Sequence, residues 1–481
     1  MILKSHLMVN LPPDWPIDPF PQIQALLQRD LRKVVVLDDD PTGTQTVHGV
    51  PVLTKWSVQA LADELRTGLT CFYVLTNTRA MPLVAAQALN TEIGQNLAQA
   101  MRQTGRAVVL VSRSDSTLRG HFPGETDALL AALGQPMDAT VIMPAFMAGL
   151  RRTIGDVHYV GAIGNTNNAD GEEWLTPAGE TEFAQDKAFG YYASNLKAWV
   201  VEKTGGRIAF DEVSSITLDH IRTGGPDEVM RQMLAVPAAG VCVVNAASER
   251  DLAVAVLGIM QAEQVGRRFL FRTAASFVQW RAGIAPRPLL SRNELLSNEM
   301  NQHGGLTIIG SYVPKTSAQL AHLLQRSIPD GLHVYVLEIE VARWINEDTR
   351  ADDIVQAAQQ VDAQLRQGRD VVIYTSRALI SGTDAASSLD IGRRVSAGLV
   401  QLVQQLTVQP RYVLAKGGIT SSDIATAGLG VRRALVLGQI LPGVPVWQLG
   451  AETKWPSVPY IVFPGNVGGD QALAEVVRLV S

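Results

Sequence analysis

Three clusters in the first half of the chain combine carboxylates, guanidinium groups and hydroxyls at close spacing. Asp38-Asp39-Asp40-Pro41-Thr42-Gly43-Thr44 follows a continuous β-branched run, Thr76-Asn77-Thr78-Arg79-Ala80 a second apolar run, and the stretch from Ser112 to His121, SRSDSTLRGH, a third. Aspartates at a strand end could hold a metal, accept hydrogen bonds from a polyol, or abstract a proton. Side chains alternate along a strand, so the three cannot all face one point, and some would be solvated or capping. A guanidinium fork on Arg79, Arg113 or Arg119 suits a carboxylate, and the hydroxyls of Ser116 and Thr117 suit a polyhydroxy chain. With Asp40 and Asp115, that set is what a small hydroxylated acid would need. The plainer alternative is a solvated turn, a helix cap at Asp115 and surface ion pairs.

The second half offers chemistry of another kind. An apolar run at 412–415 reads as a buried strand that ends at Lys416-Gly417-Gly418. A helical pattern starts near Ser421, with Ser421, Ser422 and Asp423 as cap or first-turn residues. Strand, glycine turn and helix start together suit an anion, because glycine lets the chain approach phosphate and the helix start aims N–H groups at it. Gly310-Ser311-Tyr312-Val313-Pro314-Lys315-Thr316, before a helical pattern at 317–325, repeats the arrangement, as does Phe463-Pro464-Gly465-Asn466-Val467-Gly468-Gly469 before the last helix. Pro442-Gly443-Val444-Pro445 is a rigid turn able to border a nucleotide. Any one of these turns could equally serve only chain reversal. Tyr374-Thr375-Ser376-Arg377 has the form of a strand-end ligand turn, and Gly149-Leu150-Arg151-Arg152-Thr153 reads as a cationic surface loop. There is no GxxxxGK[ST] loop, no protein-kinase motif set, and no GxGxxG after the first strand.

Apolar runs at 33–37, 70–75, 107–112, 140–143, 241–244 and 269–271 predict strands, alternating with helical patterns such as 58–66 and 82–105. That rhythm predicts an open, mostly parallel α/β sheet whose functional loops lie at the carboxyl ends of strands. A polar excursion at 161–185 suits a lid or substrate loop. A second α/β unit is expected from strands at 306–309, 333–337, 370–374, 411–415, 434–437 and 460–463. The expected fold is therefore α/β in two domains, each a mostly parallel sheet flanked by helices. The boundaries are an arm at 1–32, a first domain at 33–285, a polar linker at 286–305 and a second domain at 306–481.

The chain has 481 residues, which favours two domains, and a formal net charge of -5, which gives no footprint for nucleic acid or anionic membrane. No apolar run approaches the roughly 18 residues of a membrane span, and the proline-rich start lacks a signal-peptide core. The two cysteines, Cys71 and Cys242, lie in apolar runs and read as buried thiols of a reducing compartment rather than a disulfide. The histidines show no metal-ligand spacing. A cytoplasmic protein is expected, acting on small molecules, with a homodimer unsurprising.

DDDPTGTQT (38–46), DSTLRG (115–120), ETEFAQD (180–186), GSYVPKT (310–316), YTSR (374–377), KGGIT (416–420), GVPVW (443–447) and FPGNVG (463–468), in this order, resemble the four-carbon acid sugar kinase family. The resemblance runs from about residue 33 to the C-terminus. It implies an ATP- and Mg²⁺-dependent kinase acting on threonate, erythronate or an oxo-tetronate. It also implies an N-terminal substrate domain, a C-terminal nucleotide domain, and an active site in the cleft between them. Carried across, it puts substrate contacts on Asp39, Asp40, Arg79 and the turn Asp115, Ser116, Thr117, Leu118 and Arg119, with Asp40 or Asp115 as the catalytic carboxylate. Nucleotide contacts fall on Ser311, Gly417, Gly418, Ile419, Thr420, Gly443, Gly465, Asn466 and Gly468. Ile419 departs from the acidic residue found there in many members. Metal ligands are not indicated. Two rivals are an NAD(P)-dependent hydroxy-acid oxidoreductase, which lacks its glycine fingerprint here, and a non-catalytic sensor of sugar acid and nucleotide.

Overall fold

The computed structural model describes residues 1–163, 172–296, 302–326, 334–377 and 385–481. The tip of the polar excursion, part of the linker, and His333 lie outside them. The chain divides into two compact units, 1–47 with 55–286, and 48–54 with 287–481. This differs from the expected boundaries in three places. The arm belongs to the first unit, where Phe20–Leu27 is helical, a short stretch near residue 50 belongs to the second, and so does the expected linker from Arg287 onward, with Leu290, Leu295 and Leu296 in its core.

The first unit is built on a parallel sheet in the order Val213–Ile216, Gly240–Val244, Ala139–Met143, Phe269–Thr273, Val108–Arg113, Lys33–Asp38 and Cys71–Leu75. Lys33–Asp38 is buried along its whole length, which explains its unbroken apolar sequence. Helices Val58–Arg66, Leu83–Thr104, Leu218–Ala235 and Glu249–Gln264 connect and cover the strands. Register pairs Asp38 with Leu75 on one side and Arg113 on the other. The three polar clusters therefore emerge together at one edge, the carboxyl end of the sheet. A separate antiparallel sheet, Ile2–Leu3, Glu173–Pro177, Val157–Ile163 and Arg151–Ile154, was not expected; part of it lies inside the polar excursion.

The second unit carries a mixed sheet. Val334–Ile339, Asp370–Thr375, Leu306–Ile309, Val413–Lys416 and Pro459–Phe463 pair in parallel. Val444–Leu449, Arg433–Leu441 and Val50–Leu53 extend it antiparallel. The run at 434–437 is thus one arm of a hairpin, not a strand of a βαβ unit. Arg433–Leu441 alternates buried and less buried residues, the pattern of an antiparallel strand with one face covered. Helices Pro314–Arg326 and Ala472–Val480 cover the core formed by Ile309, Leu414, Ile461, Phe463 and Leu473.

Candidate active site

The polar residues at the carboxyl edge of the first sheet form one ion-pair network. Arg79 grips Asp39 with two donors, Nη2 to Oδ1 at 2.7 Å and Nε to Oδ2 at 3.3 Å, and reaches Asp115 Oδ1 with Nη1 at 3.4 Å and Asp40 Oδ2 with Nη2 at 3.8 Å. Arg113 donates to Asp38 Oδ1 at 2.9 Å, and Arg119 Nε to Asp115 Oδ2 at 2.7 Å. Arg113 also stands 3.6 Å from Asp39 Oδ1, so the three aspartates share the two arginines Arg79 and Arg113. Gly43 is obligatory beside them, because a Cβ there would fall 2.1 Å from the Asp38 carboxylate.

The charges respond to this packing. Burial would raise Asp40, but Arg79 and the Thr42 hydroxyl hold it below the usual carboxylate range. Burial is likewise outweighed at Asp115, where Arg79 and Arg119 hold the carboxyl well down. Asp38, fully buried beside Asp39 and Asp40, is pushed up to about 7 by burial despite Arg113.

Asp40 accepts from the backbone N–H of Thr42 at 2.9 Å and from its hydroxyl at 2.5 Å, both at Oδ1. Its Oδ2 faces Arg79 Nη2 at the longer distance of 3.8 Å. Both oxygens of Asp115 are engaged, by Arg79 on one side and by Arg119 and Thr117 on the other. The alternative in which Asp115 caps the following helix does not hold, since Gly124–Leu133 has no side-chain cap.

The 115–119 turn is held from outside. Tyr191 donates its hydroxyl to the Thr117 carbonyl at 2.6 Å. Arg272, fully buried, donates to the carbonyls of Arg119 at 3.0 Å and Asp115 at 3.4 Å. His158 Nε2 lies 2.8 Å from the Ser116 carbonyl, which can only accept, so this nitrogen carries the proton and Nδ1 accepts from Thr153 at 3.0 Å. Burial pulls His158 down to about 4, keeping it neutral. Leu118 adopts a left-handed backbone, φ 68°, and buries its side chain in the core with Phe122 and Trp199. It shapes the turn from within, so its side chain is not a substrate contact. Nor is the stretch at 149–153 a surface loop, since Arg152 is buried and paired with Glu173 at 2.8 Å. His158, Arg272 and Tyr191 have no local signature in the sequence; their partners are distant along the chain.

In the second unit the glycine turns converge. A Cβ on Gly417, φ 113°, would stand 2.9 Å from Ser311 Cβ; one on Gly310 would stand 2.3 Å from Thr420 Oγ1, and one on Gly465 3.2 Å from Ser311 Oγ. Thr316 donates its hydroxyl to the Gly465 carbonyl at 3.1 Å and lies 3.1 Å from the Ser311 hydroxyl, and Arg377 Nη1 donates to the Ser311 carbonyl at 2.9 Å. Ser311, Gly417, Thr420 and Gly465 are therefore neighbours, with Gly418 and Ile419 between them in the turn. Asn466 and Gly468 are exposed on the adjoining loop. Gly443 lies in the turn of the hairpin, its N–H donated to Gln439 Oε1 at 2.6 Å, and the antiparallel register of Val446 with Ile461 and Trp447 with Tyr460 carries that turn toward the end of Pro459–Phe463. The helix after the glycines begins at Gly418, three residues before Ser421, so the glycine turn is itself the helix start. Lys416, fully buried, donates to the Pro464 carbonyl at 3.1 Å and lies 3.9 Å from the Phe463 ring centroid; burial lowers it to about 7. Close glycine approaches around two hydroxyls, with a cation behind them, fit a phosphate-bearing ligand.

Comparison with known proteins matches residues 34–281 to the family described as a sugar-binding N-terminal domain, and residues 306–473 to a nucleotide-binding C-terminal domain. A D-threonate kinase of Cupriavidus necator is 27% identical over 390 residues, covering 79% of this chain and 81% of that protein. The crystal structure of Haemophilus influenzae protein HI1011 has the same fold, with a TM-score of 0.60 at 18% identity, covering 93% of this chain and 100% of that one.

Proposed function

The chain belongs to the four-carbon acid sugar kinase family, and from that premise we propose that it transfers the γ-phosphoryl group of ATP to a hydroxyl of a threonate-, erythronate- or oxo-tetronate-type acid. The observation that carries this reading is the presence on one chain of a sugar-binding domain with an ionised, tethered carboxylate and a nucleotide-binding domain with converging glycine turns. Phosphoryl transfer asks the protein chiefly for positioning and charge neutralisation. Asp40, fixed at Oδ1 by Thr42, offers Oδ2 to orient the acceptor hydroxyl and take its proton. Asp115 instead holds Arg79 and Arg119. Ser116 supplies a hydroxyl contact along the substrate, while the buried Thr117 hydroxyl is spent on Asp115.

On the nucleotide side Ser311, Gly417–Thr420 and the loop from Gly465 to Gly468 hold the phosphates. Among the described residues no three His, Cys, Asp or Glu side chains form a metal-binding set. Mg²⁺ brought with ATP would neutralise charge on the transferring group. Both cysteines are free and buried, their thiols pushed up to about 12 by burial, which suits a reducing, cytoplasmic setting. No helix among the described residues is long and apolar enough to cross a membrane.

The test is ADP release from ATP and Mg²⁺ across four-carbon sugar acids, with five- and six-carbon acids as controls. Turnover confined to one or a few tetronates is expected. Tight binding of a tetronate without turnover would point instead to a sensor.

A further inference from the structure

The sugar-binding unit gathers five arginines around the acidic edge, and four of them are already committed. Arg113 is paired with Asp38, and Arg79 is held by Asp39 and Asp115 with Asp40 close by. Arg119 is paired with Asp115 and lies 3.5 Å from Asp186. Arg272 is closed off from solvent and turns both terminal nitrogens to backbone carbonyls. A substrate carboxylate directed at Arg79 would share that guanidinium with three aspartates.

Arg151 is different. Among the described residues it makes no ion pair. Among those residues its one hydrogen bond is from Nη1 to the Gly149 carbonyl; its Nε is buried without a partner, as are those of Arg113 and Arg272, and the carboxylates whose charge reaches it are Asp115 and Glu182. The side chain stays partly accessible, with its guanidinium 5.8 Å from the Phe183 ring centroid. Arg119 lies over the same ring at 5.1 Å. Stacking on an aromatic face restrains a guanidinium while leaving its edge free for a bidentate partner.

The backbone is built to aim this residue. Phe146 and Arg151 exchange N–H···O bonds at 2.9 and 3.0 Å around the tight turn, and Leu150 takes a left-handed φ of 61°. Strand alternation then sends Arg152 the other way, to Glu173.

We infer that Arg151, with Arg119 beside it on Phe183, receives the carboxylate of the sugar acid, leaving the hydroxyl end for Asp40. The inference rests on the sugar-acid reading of this unit and adds to it the direction in which the substrate lies. Arg151 becomes the residue that separates acids from neutral polyols of the same length.

The test compares a tetronate that the protein phosphorylates with its uncharged amide, by titration calorimetry on the full chain without ATP, with ADP titration as a check on folding. The native protein should bind the acid on the order of 10–100-fold more tightly than the amide. Arg151→Met should bind both alike while keeping native ADP affinity, and Arg151→Lys, which keeps the charge but loses the fork, should fall between. A Met variant that retains the native acid-to-amide ratio overturns the inference. If that variant loses ADP binding, the Lys variant decides, and an unchanged ratio there overturns it. A native protein indifferent to the charge overturns the sugar-acid reading itself, a separate failure.

Discussion

Glu125 accepts from the Thr78 hydroxyl at 3.0 Å and the Ser114 hydroxyl at 3.4 Å, and it is pushed up to about 7 by burial first and by Asp39 second. In the unfolded chain such a carboxyl titrates near ~4.3. Between those values the folded chain holds a proton that the unfolded chain releases, so this group's stabilising contribution is lost as pH rises through about 7. Glutamine imitates the protonated form at every pH. Glu125→Gln should therefore melt close to the native protein at pH ~5 and above it by several degrees at pH ~8. Equal melting temperatures at both would contradict the assignment. At this scale the sequence showed the carboxylates and the 115–119 turn, because their signals are local. What the sequence did not show is how far the Arg79 fork is already paired. The structure surrounds that guanidinium with Asp39, Asp40 and Asp115 and leaves Arg151 less encumbered. Pairing of that kind depends on contacts across 36 to 40 residues, which spacing does not reveal.

Among the elements, the parallel strands of the first unit were legible because burial on both faces leaves continuous apolar runs such as Lys33–Asp38. Val213–Ile216, with serines at its centre, was not. The hairpin Arg433–Leu441 and Val444–Leu449 was read only as a strand and a turn, since Pro442 and Gly443 suggested a loop and Pro445 argued against a strand. The glycine turn before Gly418 was legible in kind but not in register. Its demands are now specific: Gly417 has φ 113°, and an added Cβ would stand 2.9 Å from Ser311 Cβ. Gly417→Ala should cost roughly 1–3 kcal/mol in stability and weaken ADP binding, while tetronate binding to the first unit stays near native. Native ADP affinity in the alanine variant would show that the turn does not shape the nucleotide site.

For the whole molecule, two domains followed from length and from the recurrence of strand and helix patterns. The assignment of residues 48–54 to the second unit did not, because Val50–Leu53 joins it by antiparallel pairing with Arg433–Leu441, some 380 residues further along. The pairing of a sugar-binding with a nucleotide-binding domain is what makes a transferase of the chain, and the decisive measurement follows the group transferred. ATP labelled in its γ-phosphoryl would be incubated with Mg²⁺ and a tetronate, and the label located. The account predicts label on a hydroxyl of the tetronate, with Asp40→Asn slowing transfer on the order of 10²–10⁴-fold at unchanged ATP affinity. Label that remains in ATP, or appears only as inorganic phosphate with every acid tried, would contradict it.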